Sequence, residues 1–304
     1  MHRRTRATCS LITIALAAGS LAIQTGRPGA GELDGIWNYA TMTPLERPRD
    51  LAAKPVLTPA EAVDYERQTL ARQATTNNTA GPDWWDSGTR FLTNGRTSLI
   101  IDPPDGRVPA MTPEAQQRAA ARTQARRARG PADGPEDRAL NERCLNWSVA
   151  GPPMLPGVYN NNVQIIEARG YVAIVSEMIH DARIVPMDGR AHGTVPAWMG
   201  DARGRWEGRT LVVDTVGFTD KTAFRGSGEH LHLVERFTRI DADTIRYEFT
   251  MDDPTVWVRP WSAAFPLHRS DEPMYEYACH EGNAMSMEGL LRAARVDERP
   301  SRER

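Results

Sequence analysis

The chain has 304 residues, of which 40% are hydrophobic and 25% charged, a balance that supports a packed core and excludes collagen-like or wholly disordered chains. Its 22 Pro and 24 Gly, with 7% aromatic residues, point to many turns and argue against a bundle of long helices. Although 35 of the 37 basic residues are Arg, 39 acidic residues bring the formal charge to −2, so there is no charge excess for binding nucleic acid.

His2, Arg3, Arg4 and Arg6 precede the apolar run Cys9–Ile23, and small residues follow to Ala30, the pattern of a secretory leader over residues 1–30. The run is shorter than the roughly 20 residues needed to span a bilayer, so the expectation is export to the periplasm or medium with no membrane anchor afterwards. Cys9 lies too early to serve as a lipid attachment point. Removing the leader leaves 33 basic and 39 acidic side chains, a formal charge of −6. Cys144 and Cys279 then remain as an even pair in an oxidising compartment, and with neither a CxxC spacing nor a nucleophile motif they are expected to form a disulfide.

From Gly31 to about Asn141 the signals are local and loop-rich. Gly35-Ile36-Trp37-Asn38 reads as a short strand. Leu57-Thr58-Pro59-Ala60-Glu61 combines an N-cap Thr, Pro at the first helical position and a capping-box Glu, which predicts a helix to about Ala74. Thr112-Pro113-Glu114 opens a second helix to Arg129, whose Arg118, Arg122, Arg126, Arg127 and Arg129 read as a solvated stripe. Gly130–Asp137 is a Pro/Gly/Asp linker.

From Val158 onward the period changes to 2. Runs over Val163–Ala168, Tyr171–Met178, Arg183–Met187, Thr210–Val216, Leu231–Ile240, Thr244–Met251, Val256–Phe265 and Met274–Cys279 alternate with turns at Arg169-Gly170, Asp188-Gly189, Glu207-Gly208 and Asp241–Asp243. Eight or nine sequential strands predict a mainly β protein, an antiparallel meander whose closure into a barrel would remove both edges. Met285–Ala294 reads as a C-terminal helix. The chain thus divides into the leader, a loop-rich segment over 31–141 with two helices packing on the barrel, a β-barrel domain with its C-terminal helix over 142–295, and a disordered tail over 296–304.

Several stretches carry a resemblance: Ser98-Leu-Ile-Ile-Asp-Pro-Pro-Asp-Gly-Arg107, Met178-Ile-His-Asp-Ala-Arg183, Trp198-Met-Gly-Asp201, Gly204-Arg-Trp-Glu-Gly208, His230-Leu-His-Leu-Val-Glu-Arg-Phe-Thr-Arg239 and Tyr275-Glu-Tyr-Ala-Cys-His-Glu-Gly-Asn283. Over about residues 90–295 the chain resembles a family of exported bacterial proteins of unassigned function. The resemblance implies a β-barrel of lipocalin-like shape and carries no reaction with it.

Chemistry therefore rests on the residues. His180-Asp181, Glu229-His230, His232 and His280-Glu281 are polar clusters on or beside predicted strands, the residue types that move protons near neutral pH. His180, His232, Glu235, His280 and Glu281 are the candidate catalytic residues, and Arg183, Phe224, Arg225, Tyr247 and Trp198 the candidate substrate-binding residues. Along Leu231–Arg239 one face carries Leu231, Leu233, Glu235 and Phe237 and the other His232, Val234, Arg236 and Thr238. If the first is inside, Glu235 is a buried acid in need of a partner; if the second, His232 and Arg236 line a polar pocket. Gly217–Glu229 is long enough for a lid, with Phe224 and Arg225 at its centre. Asp181, beside His180 on an extended chain, is expected to bind turn amides, and Arg183 either to meet a substrate carboxylate or to pair with Asp181.

His230 and His232 project to one side of a strand, which permits two metal ligands, but no third ligand has a diagnostic spacing. GxSxG, HExxH, P-loop and strand-associated GxGxxG motifs are all absent. The reading is cofactor-free acid/base chemistry, as in a lyase, isomerase or hydrolase, on a small and partly apolar organic molecule. The alternatives are a lipocalin-like carrier without turnover, a metal-dependent hydrolase using His230 and His232, and a structural envelope protein with a barrel filled by side chains.

Overall fold

The computed structural model describes residues 32–76, 88, 90–130, 132–147, 149–221 and 224–297. The expected leader, and the expected tail after Asp297, lie outside the described residues. No helix among those described is long and apolar enough to cross a membrane.

In chain order the elements are β1 (Gly35–Asn38), α1 (Pro59–Thr76), β2 (Ile100–Asp102), α2 (Pro113–Arg127), β3 (Asn162–Ala168), β4 (Tyr171–Ser176), β5 (Ala182–Pro186), β6 (Asp201–Glu207), β7 (Thr210–Val216), β8 (His232–Arg239), β9 (Thr244–Asp252), β10 (Trp261–Ser270) and α3 (Cys279–Asp297). Both early helices start where their caps require. The Thr58 backbone N–H donates to Glu61 Oε2 at 2.9 Å, and Thr112 Oγ1 accepts from the Ala115 N–H at 3.1 Å. As the arginine stripe suggests, α2 is exposed, with Ala115 its buried residue.

The strands form one antiparallel sheet in the order β5-β4-β3-β1-β10-β9-β8-β7-β6, with β2 added to β10. This corrects the simple meander. Two meanders, β3–β5 and β6–β10, are joined through β1, which pairs Trp37 with Val163 on one side and with Arg269 on the other. The hairpin turns after β3 and β6 use Gly170 (φ +84°) and Gly208 (φ +60°), conformations that a side chain would strain.

The sheet is also not closed by hydrogen bonds. Its edge strands β5 and β6 lie alongside each other. Gly204 of β6 lets Met187 pack where a β-carbon would otherwise stand, and Pro186 ends β5 without a backbone donor.

Met274–Cys279 is not a strand. Tyr275 gives its backbone N–H to buried Glu177 at 3.0 Å, removing a donor that a ladder would need, and Cys279 opens α3. The last strand begins at Trp261 rather than at Val256, because Asp253 holds Thr255, Val256 and Trp257 in a turn. The Cys144–Cys279 disulfide is formed, and it ties the segment before β3 to the first residue of α3 rather than to a strand.

One face of the sheet supplies the core. In register across four strands, Leu211, Phe237, Tyr247 and Phe265 form a row in which every member is at most 2% exposed. Neighbouring rows add Val213, Phe249, Leu233, Met251 and Trp261, also buried. Each such side chain contributes roughly 1.5–3 kcal/mol by leaving water. Val163, Ile165, Val172, Ile174 and Val185 of the other meander belong to the same buried cluster, so side chains occupy the space between the two meanders.

Candidate functional site

The core settles the choice of faces on β8. Leu233, Glu235 and Phe237 are buried, whereas His232 is exposed and Arg236 reaches solvent. Glu235 is 0% exposed and accepts from both Arg183 nitrogens, at 2.5 and 3.0 Å, and from the Tyr247 hydroxyl at 2.7 Å. The Tyr247 oxygen in turn accepts from the Met154 N–H at 3.1 Å. Burial works against the Arg183 charge, but the carboxylate beside it holds its pKa above the ordinary value. Burial and the same carboxylate push the Tyr247 phenol well above its usual range. These three residues were read as catalytic or substrate-binding, and their polar atoms are instead satisfied by one another inside the core. Arg183 crosses from β5 to β8, strands far apart in the sheet order, so the network pins one meander to the other.

At the end of the sheet where β4 meets β5, a 3-10 turn over Met178–His180 carries Ile179 at φ 59° and His180 at φ 49°. Side chains rarely adopt that left-handed region, and a β-branched one least of all. Burial of Met178 and Ile179 anchors the turn, which leaves His180 exposed with Nδ1 3.1 Å from the Tyr277 carbonyl oxygen. A carbonyl only accepts, so Nδ1 carries the proton and, in the neutral ring, Nε2 keeps its lone pair. The His280 ring lies 6.2 Å from it, centroid to centroid, directly after disulfide-bonded Cys279. Glu281 follows and is exposed.

Asp181 was expected to bind turn amides, but its carboxylate accepts no hydrogen bond among the described residues. Its Oδ2 is buried without a hydrogen-bond partner, and burial, opposed by His180 and Arg183, pushes its carboxyl up to about 6. Beside this turn Trp147 meets Tyr159 and Tyr277 edge-on, at 5.9 and 6.4 Å. Burial and a hydrogen bond with Tyr277 push the Tyr159 phenol up to about 12. Thr41, Met42, Trp147, Val149, Val158 and Met178 line an adjoining cleft of about 410 Å³.

His232 belongs to a different group, on the outer face of the sheet. Its Nε2 lies 3.0 Å from Asp214 Oδ2, and Asp214 Oδ1 lies 3.1 Å from His192 Nε2. His192 Nδ1 is 3.3 Å from Asp201, which also accepts from the Gly193 N–H at 2.7 Å and from Arg203. His180 and His232, both candidate catalytic residues, have different neighbours: the His280 ring lies beside one and Asp214 bonds the other. His192, Asp201 and Asp214 were missed, although a carboxylate within Thr-Leu-Val-Val-Asp-Thr-Val was a readable signal of a buried-edge partner.

The remaining candidates are dispersed. Exposed His230 lies 3.6 Å from Glu229, and among the described residues no three of His, Cys, Asp and Glu are grouped to hold a metal ion, so the H-x-H spacing gains no third ligand. Phe224 stacks on Trp261 with centroids 6.2 Å apart, and Arg225 pairs with Glu46 at 2.7 Å, which fastens the expected lid to the body at both positions. Trp198 is half-buried on the approach to β6. No protein-family model matches the chain, and neither a curated protein nor a solved structure matches it.

Proposed function

We propose that the protein is an exported, cofactor-independent catalyst that moves protons on a small, partly apolar organic molecule, as a lyase, isomerase or hydrolase does. The reading places the chemistry at His180 and His280, with substrate in the Trp147 cleft and the open sheet acting as a lipocalin-like barrel completed by side-chain packing. The observation that carries it is the Tyr277 carbonyl on His180 Nδ1, which leaves Nε2 as a base, with a second imidazole across from it as the acid. Arg183, Glu235 and Tyr247 support the site only through the fold.

Removing either imidazole is expected to lower turnover by about 10²–10⁴-fold with the melting temperature unchanged. The assay follows a defined mixture of small esters, lactones, hydroxy acids and enolisable ketones by proton NMR, with wild type and the His180→Ala/His280→Ala variant. Equal conversion by both proteins would remove these histidines from the chemistry. A second reading, an envelope protein without turnover, is favoured by the filled space between the meanders, and it predicts no conversion by either protein.

A further inference from the structure

The opposite end of β4 from His180 carries a second recess. There β5 stops at Pro186, whereas β6 continues through Arg205 and Trp206. A cleft of about 440 Å³ occupies this seam. Buried Val172 and half-buried Met187 and Trp206 form its floor, and Tyr171 and the exposed Arg169 and Arg205 form its rim. Gly204 matters to this shape, since a β-carbon there would collide with the Met187 sulfur and drive that side chain out of its place.

Two arginines and one carboxylate line the cleft. The carboxylate, Glu167, keeps its charge while one of its oxygens accepts from the Leu33 N–H at 2.7 Å, which leaves one positive charge in excess. Arg205 pairs with Glu207 at 2.9 Å, but Glu207 is shared with Arg236, also at 2.9 Å, and the Arg205 and Glu207 side chains are about half in water, where such a pair is weak and readily exchanged. Arg169 has no ion-pair partner among the described residues. An apolar floor with an indole at one side and two guanidinium forks at the edge is complementary to one ligand chemistry.

We propose that the seam between β5 and β6 binds a small, flat carboxylate, its ring against Trp206 and its carboxylate on Arg169 and Arg205. Charge-assisted pairing at a partly exposed rim is expected to favour the anion over a neutral isostere by about tenfold or more. The site is separate from the Trp147 cleft, so it stands or falls independently of the proposed catalysis.

The probes are 1-naphthoate and its uncharged counterpart 1-naphthylmethanol, titrated against the full chain by calorimetry at low and high salt. Wild type should bind the naphthoate with one-to-one stoichiometry, at least tenfold more tightly than the alcohol, and salt should narrow the gap. Arg169→Gln/Arg205→Gln should abolish the preference while the alcohol's affinity is kept. Trp206→Ala should weaken both, and Trp147→Ala neither. Circular dichroism confirms that each variant is folded, and should Trp206→Ala fail to fold, Trp206→Leu takes its place. Equal affinity for the two probes, an anion preference that survives loss of both arginines, or binding that is lost in Trp147→Ala instead would overturn the proposal.

Discussion

Glu235→Leu isolates the buried network. The substitution takes away both hydrogen bonds and the counter-charge of Arg183, whose side chain is 6% exposed, and the acceptor of the Tyr247 hydroxyl. Stranding one member of a buried ion pair costs about 3–5 kcal/mol, because the remaining charge has neither water nor a partner. At roughly 2–4 °C per kcal/mol for a chain of this size, the melting temperature should fall by about 6–20 °C. In urea, followed by far-ultraviolet circular dichroism, the midpoint should drop with the slope unchanged. Arg183→Met should be similarly damaging, since it leaves Glu235 charged and buried. The Arg183→Met/Glu235→Leu double variant should regain at least half of the single losses, because an apolar pair of similar volume has no charge to desolvate. A single-variant loss below about 1 kcal/mol, or a double variant as unstable as the two losses added together, would refute the network as the clamp between the meanders.

Two further outcomes concern stability. Cys144→Ser/Cys279→Ser should lower unfolding free energy by roughly 2–5 kcal/mol, as expected for a cross-link spanning 135 residues, and identical urea midpoints for oxidised wild type and this variant would refute it. Asp181 has a carboxyl raised by burial to about 6, so the wild type is favoured while that group stays protonated and loses stability as pH rises through about 6. Asp181→Asn should therefore stabilise by about 1 kcal/mol at about pH 8, after allowance for its partial exposure, with the two stability curves converging below about pH 4. Parallel curves across that range would show that burial of the carboxylate is not the cause.

The sequence made the strands legible wherever period 2 and turn chemistry agreed: β3, β4, β5, β7, β8 and β9 fall within a residue or two of the runs read from it. It misled at Met274–Cys279, where Tyr-Glu-Tyr alternation imitates a strand while a buried carboxylate distant in sequence takes the backbone donor. The place of β1 between the meanders was not readable, because a four-residue strand carries no information about which edges it joins. At the site, the polar character of His180 and His280 was visible, but not their meeting, which depends on a turn conformation and a disulfide. For Glu235, alternation reduced the choice to two faces. The partner was hidden because Arg183 reaches it across the core rather than along a neighbouring strand, and its adjacency to Asp181 pointed to a local pair.

The insertion of β1 has a consequence in time. Its two neighbours are β3 and β10, and its pairing of Trp37 with Arg269 joins segments more than two hundred residues apart. During synthesis the first strand therefore waits, half-paired at best, until the tenth has emerged, and the sheet cannot be finished piecemeal from one end. Contacts of such long range make folding slow, since loop closure must precede the gain from pairing. A truncation before β10 leaves two separate fragments of sheet with β1 attached to only one of them.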